Sequence, residues 1–321
     1  MPASFLPAFS ALLAFALALL LGPAVIGYLE RLKLGQVVRS DGPQTHRKKA
    51  GTPTMGGILM VLCIVAALLV AGRPFTDHTI VMLFSTIGFG LIGFLDDFIK
   101  VVARRSLGLR AREKLVGQFG VALLVSLYAY ARVGSELVIP FWRGTVELPA
   151  LVYIPFTVFV LVGVVNAVNL TDGLDGLAAG STAISAAAFA IIFLILGHGD
   201  LSIFHGAVVG ACLGFVWFNG PPAQVIMGDT GSFALGAALA TGAVLSRTAL
   251  FLPIIGGLFL LETVSVILQV LYFRATKGRR LFRMAPLHHH FELLGWAESK
   301  VMVRFVLLSL VFAVLGLYAI L

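Results

Sequence analysis

The sequence predicts an all-α, polytopic integral membrane protein of about ten transmembrane helices, and three observations carry that prediction. Hydrophobic residues make up 59% of the chain, charged residues only 12%, and the mean hydropathy is +1.02. A soluble domain carries about 25% charge. Apolar runs of the ~20 residues needed to cross a bilayer recur along the whole chain. Most of the 23 lysines and arginines fall in three segments between those runs.

Each run in order supports this reading. The first, Phe5 to Leu29, has no basic residue ahead of it and several after it, the reverse of a cleavable signal peptide. It suits a helix whose N-terminus faces outside. Thr54 to Ala71 follows a basic loop holding Arg31, Lys33, Arg39, Arg47, Lys48 and Lys49. Thr79 to Ile99 ends in the pair Asp96–Asp97 and leads to the second basic segment, Lys100 to Lys114, before Leu115 to Ala131. Arg132 to Pro149 mixes Gly134, Pro140 and Gly144 with β-formers, which predicts an outside hairpin or loop. Leu151 to Leu170, Leu177 to Leu196, Leu201 to Phe218 and Phe233 to Leu245 form the fifth to eighth spans. Phe251 to Phe273 is bent near Pro253, Gly256 and Gly257, and Val301 to Leu321 closes the chain after the third basic run, Arg274 to Arg283. No repeat or linker divides residues 1–321, so a single transmembrane domain is expected.

The positive-inside rule places the three basic segments in the cytoplasm, and counting spans then sets both termini outside. The net charge of +8 is a topology signal of this kind, with some residues left for anionic head groups or a phosphorylated substrate, and does not indicate nucleic acid. Cys63 and Cys212 fall inside spans and offer no disulfide or zinc pattern.

The same count brings four polar constellations to one face. A carboxylate at a helix centre costs about 2.5–3.5 kcal/mol on insertion scales, so acids beside apolar runs are functional suspects. Asp96 and Asp97 point about 100° apart on a helix, so they take different tasks, with Lys100 one turn on. Asn166, Asn169, Thr171, Asp172 and Asp175 crowd into one stretch with Gly173 and Gly176. Such oxygen ligands suit Mg²⁺, which takes one or two carboxylates plus phosphates and waters. Helix capping accounts for one or two of these groups, hardly for all. Asn219 and the string Gly228-Asp229-Thr230-Gly231-Ser232 form the third, where a helix start offers amides to a phosphate or simply caps a turn. The fourth is Pro286-Leu287-His288-His289-His290-Phe291-Glu292. Rings of adjacent histidines fan apart on a helix, so hydrogen bonding to phosphate or carbonyl groups is more natural than binding one metal. Glu262 and Gln269 share a face of the ninth span, either as packing contacts or with Gln269 as a ligand.

Together these strings resemble the phospho-N-acetylmuramoyl-pentapeptide transferases, within the polyprenyl-phosphate N-acetylhexosamine 1-phosphate transferase superfamily. The resemblance covers essentially the whole chain. The superfamily shares the Asp pair and the Asn-x-x-Asn-x-x-Asp-Gly string, and Pro-Leu-His-His-His-Phe-Glu points to the muramoyl-pentapeptide branch.

The resemblance implies an exchange in which undecaprenyl phosphate attacks UDP-N-acetylmuramoyl-pentapeptide, releasing UMP, at the cytoplasmic face of a bacterial inner membrane. It implies Mg²⁺, with Mn²⁺ as a substitute, and a homodimer. It assigns the metal to Asp229 with Asp97 or Asp172, and makes Asp96 a general base or, in competition, a covalent nucleophile. Lys100 and Lys114 would hold phosphates, and Lys49, Asp175, Asn219, Ser232 and Gln269 would lie near the uridine. Asn166 and Asn169 belong to the substrate site, as does His288, while His289 and His290 sit at the phosphate or sugar end. A sister transferase using UDP-N-acetylglucosamine is the nearest rival. A transporter is the rival from another class, but transporters place polar groups at the bilayer midplane rather than at span ends.

Overall fold

The computed structural model describes residues 5–32, 51–71, 76–103, 108–142 and 144–321. Lys49 lies outside them. Helices dominate: α1 (Leu6–Arg31), α2 (Gly57–Val70), α3 (Asp77–Val102), α4 (Ala111–Tyr128), α5 (Ala150–Thr171), α6 (Leu177–Ile195), α7 (Gly199–Asn219), α8 (Gly228–Leu245), α9 (Leu252–Ile255), α10 (Gly257–Ala275), α11 (Leu287–Leu293) and α12 (Glu298–Tyr318). Among the described residues, eight helices are long and apolar enough to cross a membrane: α1, α3, α4 with its extension to Val133, α5, α6, α7, α10 and α12. The protein is therefore a multi-pass membrane protein. Large apolar side chains such as Val116, Leu124, Leu271, Val311 and Val314 stand exposed on its flanks, as a lipid-facing surface requires.

Two helices form the inner column. α8 is buried at every residue from Thr230 to Leu245, because its glycines and alanines let α3, α5 and α2 approach closely. α7 runs parallel to α1 along a seam of Gly206, Gly210 and Gly214. At Gly210 a side chain would begin 1.9 Å from the Ala11 carbonyl oxygen, so only glycine fits there. α6 packs on α7, and α12 packs on α6.

The stretch predicted as an outside hairpin or loop forms a hairpin. After a π-helical turn (Ala129–Val133), β1 (Glu136–Val138) pairs antiparallel with β2 (Thr145–Glu147). Its chain bonds to both neighbouring helix ends: Val138 N donates to Arg247 O at 2.9 Å, and Phe141 N to Ala319 O at 2.8 Å. The hairpin thus marks the end of the bundle where α8 and α12 finish. α1 starts at that same end, since Pro7 lies against Gly206 near the start of α7.

Three boundaries depart from the sequence expectation. The Asp96–Asp97 pair does not end its helix, because α3 continues to Val102. α8 begins at Gly228 rather than near Phe233, drawing Asp229 into its first turn. The histidine run forms a short helix of its own, α11. The bend at Gly256 is present as a break between α9 and α10.

Candidate active site

The first turn of α8 is where the site is built. Asp97, on α3, accepts the amide of Asp229 at 3.1 Å and that of Thr230 at 2.9 Å, plus the Thr230 hydroxyl at 2.8 Å. One carboxylate so caps the free N–H groups and the positive end of a neighbouring helix. The two helices touch closely enough that a side chain at Gly93 would begin 2.2 Å from the Asp229 carbonyl oxygen. The chain ahead of α2 supports the same turn from the other side. Ile226 N donates to Pro53 O at 2.8 Å, Gly56 N to Ile226 O at 2.9 Å and Gly57 N to Met227 O at 3.0 Å.

This fastening gathers charge. One carboxylate oxygen from each of Asp96, Asp97 and Asp229 lies within 4.8 Å of the others. Two ammonium groups interleave with them. Lys100 Nζ sits 2.5 Å from Asp96, 3.2 Å from Asp229 and 3.5 Å from Asp97. Lys114 Nζ, from the start of α4, sits 2.7 Å from Asp229 and 3.0 Å from Asp96, and 5.7 Å from the centre of the Phe233 ring. Asp96 also accepts the Leu109 amide at 2.7 Å, so the described end of the α3–α4 connection folds over it. Three carboxylates against two ammoniums leave negative charge, and hard oxygen donors at this spacing fit a divalent cation such as Mg²⁺. Asp229 is the most accessible, its side chain 14% exposed against 0% for Asp96 and 4% for Asp97.

The amide string at the end of α5 braces this cluster. Asn169 donates to Asp229 at 3.0 Å and to the Ser232 hydroxyl at 2.9 Å. Asn166 donates to Gln118 on α4 at 2.8 Å. Asp172 is the C-cap of α5 and stands outside the group of three carboxylates. Asp175 accepts the Ala223 amide at 3.0 Å, and its own amide donates to Glu298 at 2.9 Å. Asn219 accepts the Gly176 amide at 2.9 Å and donates to Val225 O at 2.7 Å, so it ties the end of α7 to two loops.

Gln269 does comparable work on α10. Its carbonyl oxygen accepts the amides of Leu281 and Phe282 at 3.0 and 2.9 Å, and its NH₂ group donates to Phe282 O at 3.1 Å. Among the histidines, His288 is fully buried, His289 pairs with Glu292 at 2.8 Å, and His290 Nδ1 accepts the Arg283 amide at 3.1 Å. The structure thus joins Asp96, Asp97, Asp229, Lys100, Lys114, Asn169 and Ser232 in one network. Asn219, Asp175, Gln269 and the histidines are held in adjoining loops.

Sequence reasoning missed Thr230, Gln118 and Glu298. A lone polar residue beside an apolar run carries no spacing signal. The Thr in Asp229-Thr230 was visible, but its partner is 133 residues away.

The match to known proteins is extensive. Residues 79–247 match the family model described as glycosyl transferase family 4. Residues 49–61 match phospho-N-acetylmuramoyl-pentapeptide-transferase signature 1, which spans the segment that braces α8. A phospho-N-acetylmuramoyl-pentapeptide-transferase of Desulforamulus reducens is 52% identical over 95% of this chain and 93% of its own length. Proteins of the same name from Geobacillus sp. (51%, covering 96% of this chain and 95% of theirs) and Bacillus subtilis (48%, covering 97% and 96%) are similarly close. With the matched region centred on α3, α5 and α8, and the relatives alike from end to end, the chain belongs to the phospho-N-acetylmuramoyl-pentapeptide-transferases of glycosyl transferase family 4.

Proposed function

We propose that the protein transfers phospho-N-acetylmuramoyl-pentapeptide from its UDP conjugate to undecaprenyl phosphate, releasing UMP and forming lipid I, in a Mg²⁺-dependent reaction that Mn²⁺ also supports. The observation that carries the reading is the interleaving of Asp96, Asp97 and Asp229 with Lys100 and Lys114. Donor and acceptor are both anions, so their approach needs compensating positive charge. Bound Mg²⁺ would shield the diphosphate and polarise the phosphorus under attack.

The residues divide this work by accessibility. Asp229 would hold the ion, as the most exposed of the three. Asp97 would assist through the lone pairs its helix cap leaves, or Asp172 from the end of α5. Lys100 and Lys114 exchange carboxylate oxygens for phosphate oxygens when substrate enters. Asp96, released from an ammonium by that exchange, receives the proton of the lipid phosphate; direct attack by its carboxylate is the alternative step. Asp175, Asn219, Ser232 and Gln269 frame the uridine, partly by holding the loops around it, and Lys49, outside the described residues, is assigned to the same end of the donor by resemblance. His289 and His290 lie toward the sugar-phosphate.

The topology belongs to the same proposal. Counting α2 and α8 gives ten spans, with the hairpin and both termini outside and the charged cluster at the cytoplasmic face of the inner membrane. The shared placement of the α1 start, the α12 end and the hairpin, away from Asp229, supports it. A homodimer is part of this reading.

The deciding experiment supplies purified protein, polyprenyl phosphate and Mg²⁺ with either UDP-N-acetylmuramoyl-pentapeptide or UDP-N-acetylglucosamine. UMP release with the pentapeptide donor is expected. Turnover with only the N-acetylglucosamine donor would overturn the substrate assignment.

A further inference from the structure

Glu262 sits in the apolar interior of α10 with no exposed surface, and His288, the first residue of the histidine run, is equally buried. Their closest atoms, His288 Nδ1 and Glu262 Oε1, are 3.3 Å apart. None of the four polar atoms of the two side chains has a hydrogen-bond partner among the described residues, so the 3.3 Å approach is a close polar contact and each group's nearest opportunity for one. A carboxylate and an imidazole buried together are each other's closest polar group, and separating them would leave both alone in an enclosed site at a cost in free energy.

The far side of the ring meets the turn that follows Asp172. A side chain at Gly173 would begin 2.1 Å from His288 Nε2, so the imidazole occupies the space that this glycine leaves empty. The ring of His289 lies 4.1 Å from that of His288, centre to centre. One turn pair further along α10, Gln269 grips the chain at Leu281 and Phe282. α10 therefore holds the segment carrying the histidines at two points, once by Gln269 and once by Glu262.

We infer that Glu262 is a positioning residue: through His288 it seats α11 on the Gly173 turn and so fixes where His289 and His290 stand for the sugar-phosphate donor. This inference rests on the donor assignment proposed above. Glutamine, of the same shape and still able to accept from His288, should keep the ring in place, whereas leucine fills the space without holding it.

The experiment measures steady-state kinetics of the purified full chain with UDP-N-acetylmuramoyl-pentapeptide, Mg²⁺ and undecaprenyl phosphate. Glu262→Leu is expected to raise KM for the nucleotide donor about tenfold and leave KM for the lipid unchanged, with Glu262→Gln within about threefold of the parent. A merely structural role would lower kcat through loss of folded enzyme and leave KM alone. Gly173→Ala, which displaces the same ring from its other side, should show the same donor-specific rise. Adding His288→Ala to it should raise KM no further. Parent-like KM in Glu262→Leu, or independent effects of Gly173→Ala and His288→Ala, would overturn the inference. Should Glu262→Leu not fold, the Gly173 pair decides alone. Inactivity of the parent chain with this donor would instead count against the donor assignment itself.

Discussion

Asp97 and Asp229 are both carboxylates in the same network, yet their surroundings give them opposite duties. Asp97 spends its oxygens on two amides and a hydroxyl, while Asp229 faces ammonium groups that a phosphate can replace. Asp229→Asn is accordingly expected to abolish UMP release, by at least about a thousandfold, with the folded yield retained, since its amide still meets Asp97. A scintillation assay alongside size-exclusion profiles checks both halves of that statement. The metal is tested separately: excess EDTA should stop turnover and added Mg²⁺ restore it, and turnover that persists in chelator removes the cation from the mechanism. The acids and asparagines of this network were legible in the sequence because they interrupt or flank apolar runs, and the lysines were singled out by the family resemblance. Which carboxylate does what was not, because the distinction lies in hydrogen bonds between α3 and α8, far apart in the chain.

Among the elements, α8 decides the site's geometry. Its start is pinned by Asp97, by the strand-like chain at residues 53–57 and by the closeness of Gly93. Gly93→Ala should push the α8 backbone away from α3, since the added carbon would fall 2.2 Å from a carbonyl oxygen that cannot give way like a side chain. We expect activity to fall at least tenfold, with a cost of about 1–3 kcal/mol typical of overpacking. Thermal unfolding together with UMP release measures it; a fully active Gly93→Ala enzyme would show that the approach of the two helices is not needed. Hydropathy located nearly every helix, but it placed the start of α8 late because a polar, glycine-rich first turn reads as loop when its cap comes from another helix. It could not see α11 either, which is too short for periodicity to register.

At the scale of the whole molecule, the proposal requires one sidedness. Single cysteines introduced in the loops beyond α3, α5 and α7, away from the charged network, should all react with a membrane-impermeant thiol reagent only from the cytoplasmic side. A cysteine in the 139–144 turn of the hairpin should react only from the outside. Labelling of these three loops from different sides would dismantle the site. Charge bias and span parity give this arrangement as an expectation from the sequence, since lysine and arginine collect in cytoplasmic loops, and the labelling tests it. Parity could not reveal how far apart the loops stand, which only packing around α8 determines.

The burial of α8 also bears on how the protein is made. A helix enclosed on all sides by protein, and absent from the eight most lipid-compatible helices, has little to gain from meeting acyl chains alone. Its neighbours α2, α3 and α5 all precede it in the chain, so they are already synthesised when it emerges from the ribosome. Biogenesis thus delivers the segment bearing Asp229 after the three helices α2, α3 and α5 that enclose it. A nascent chain lacking α3 should leave that segment stranded in water, open to quality-control proteases.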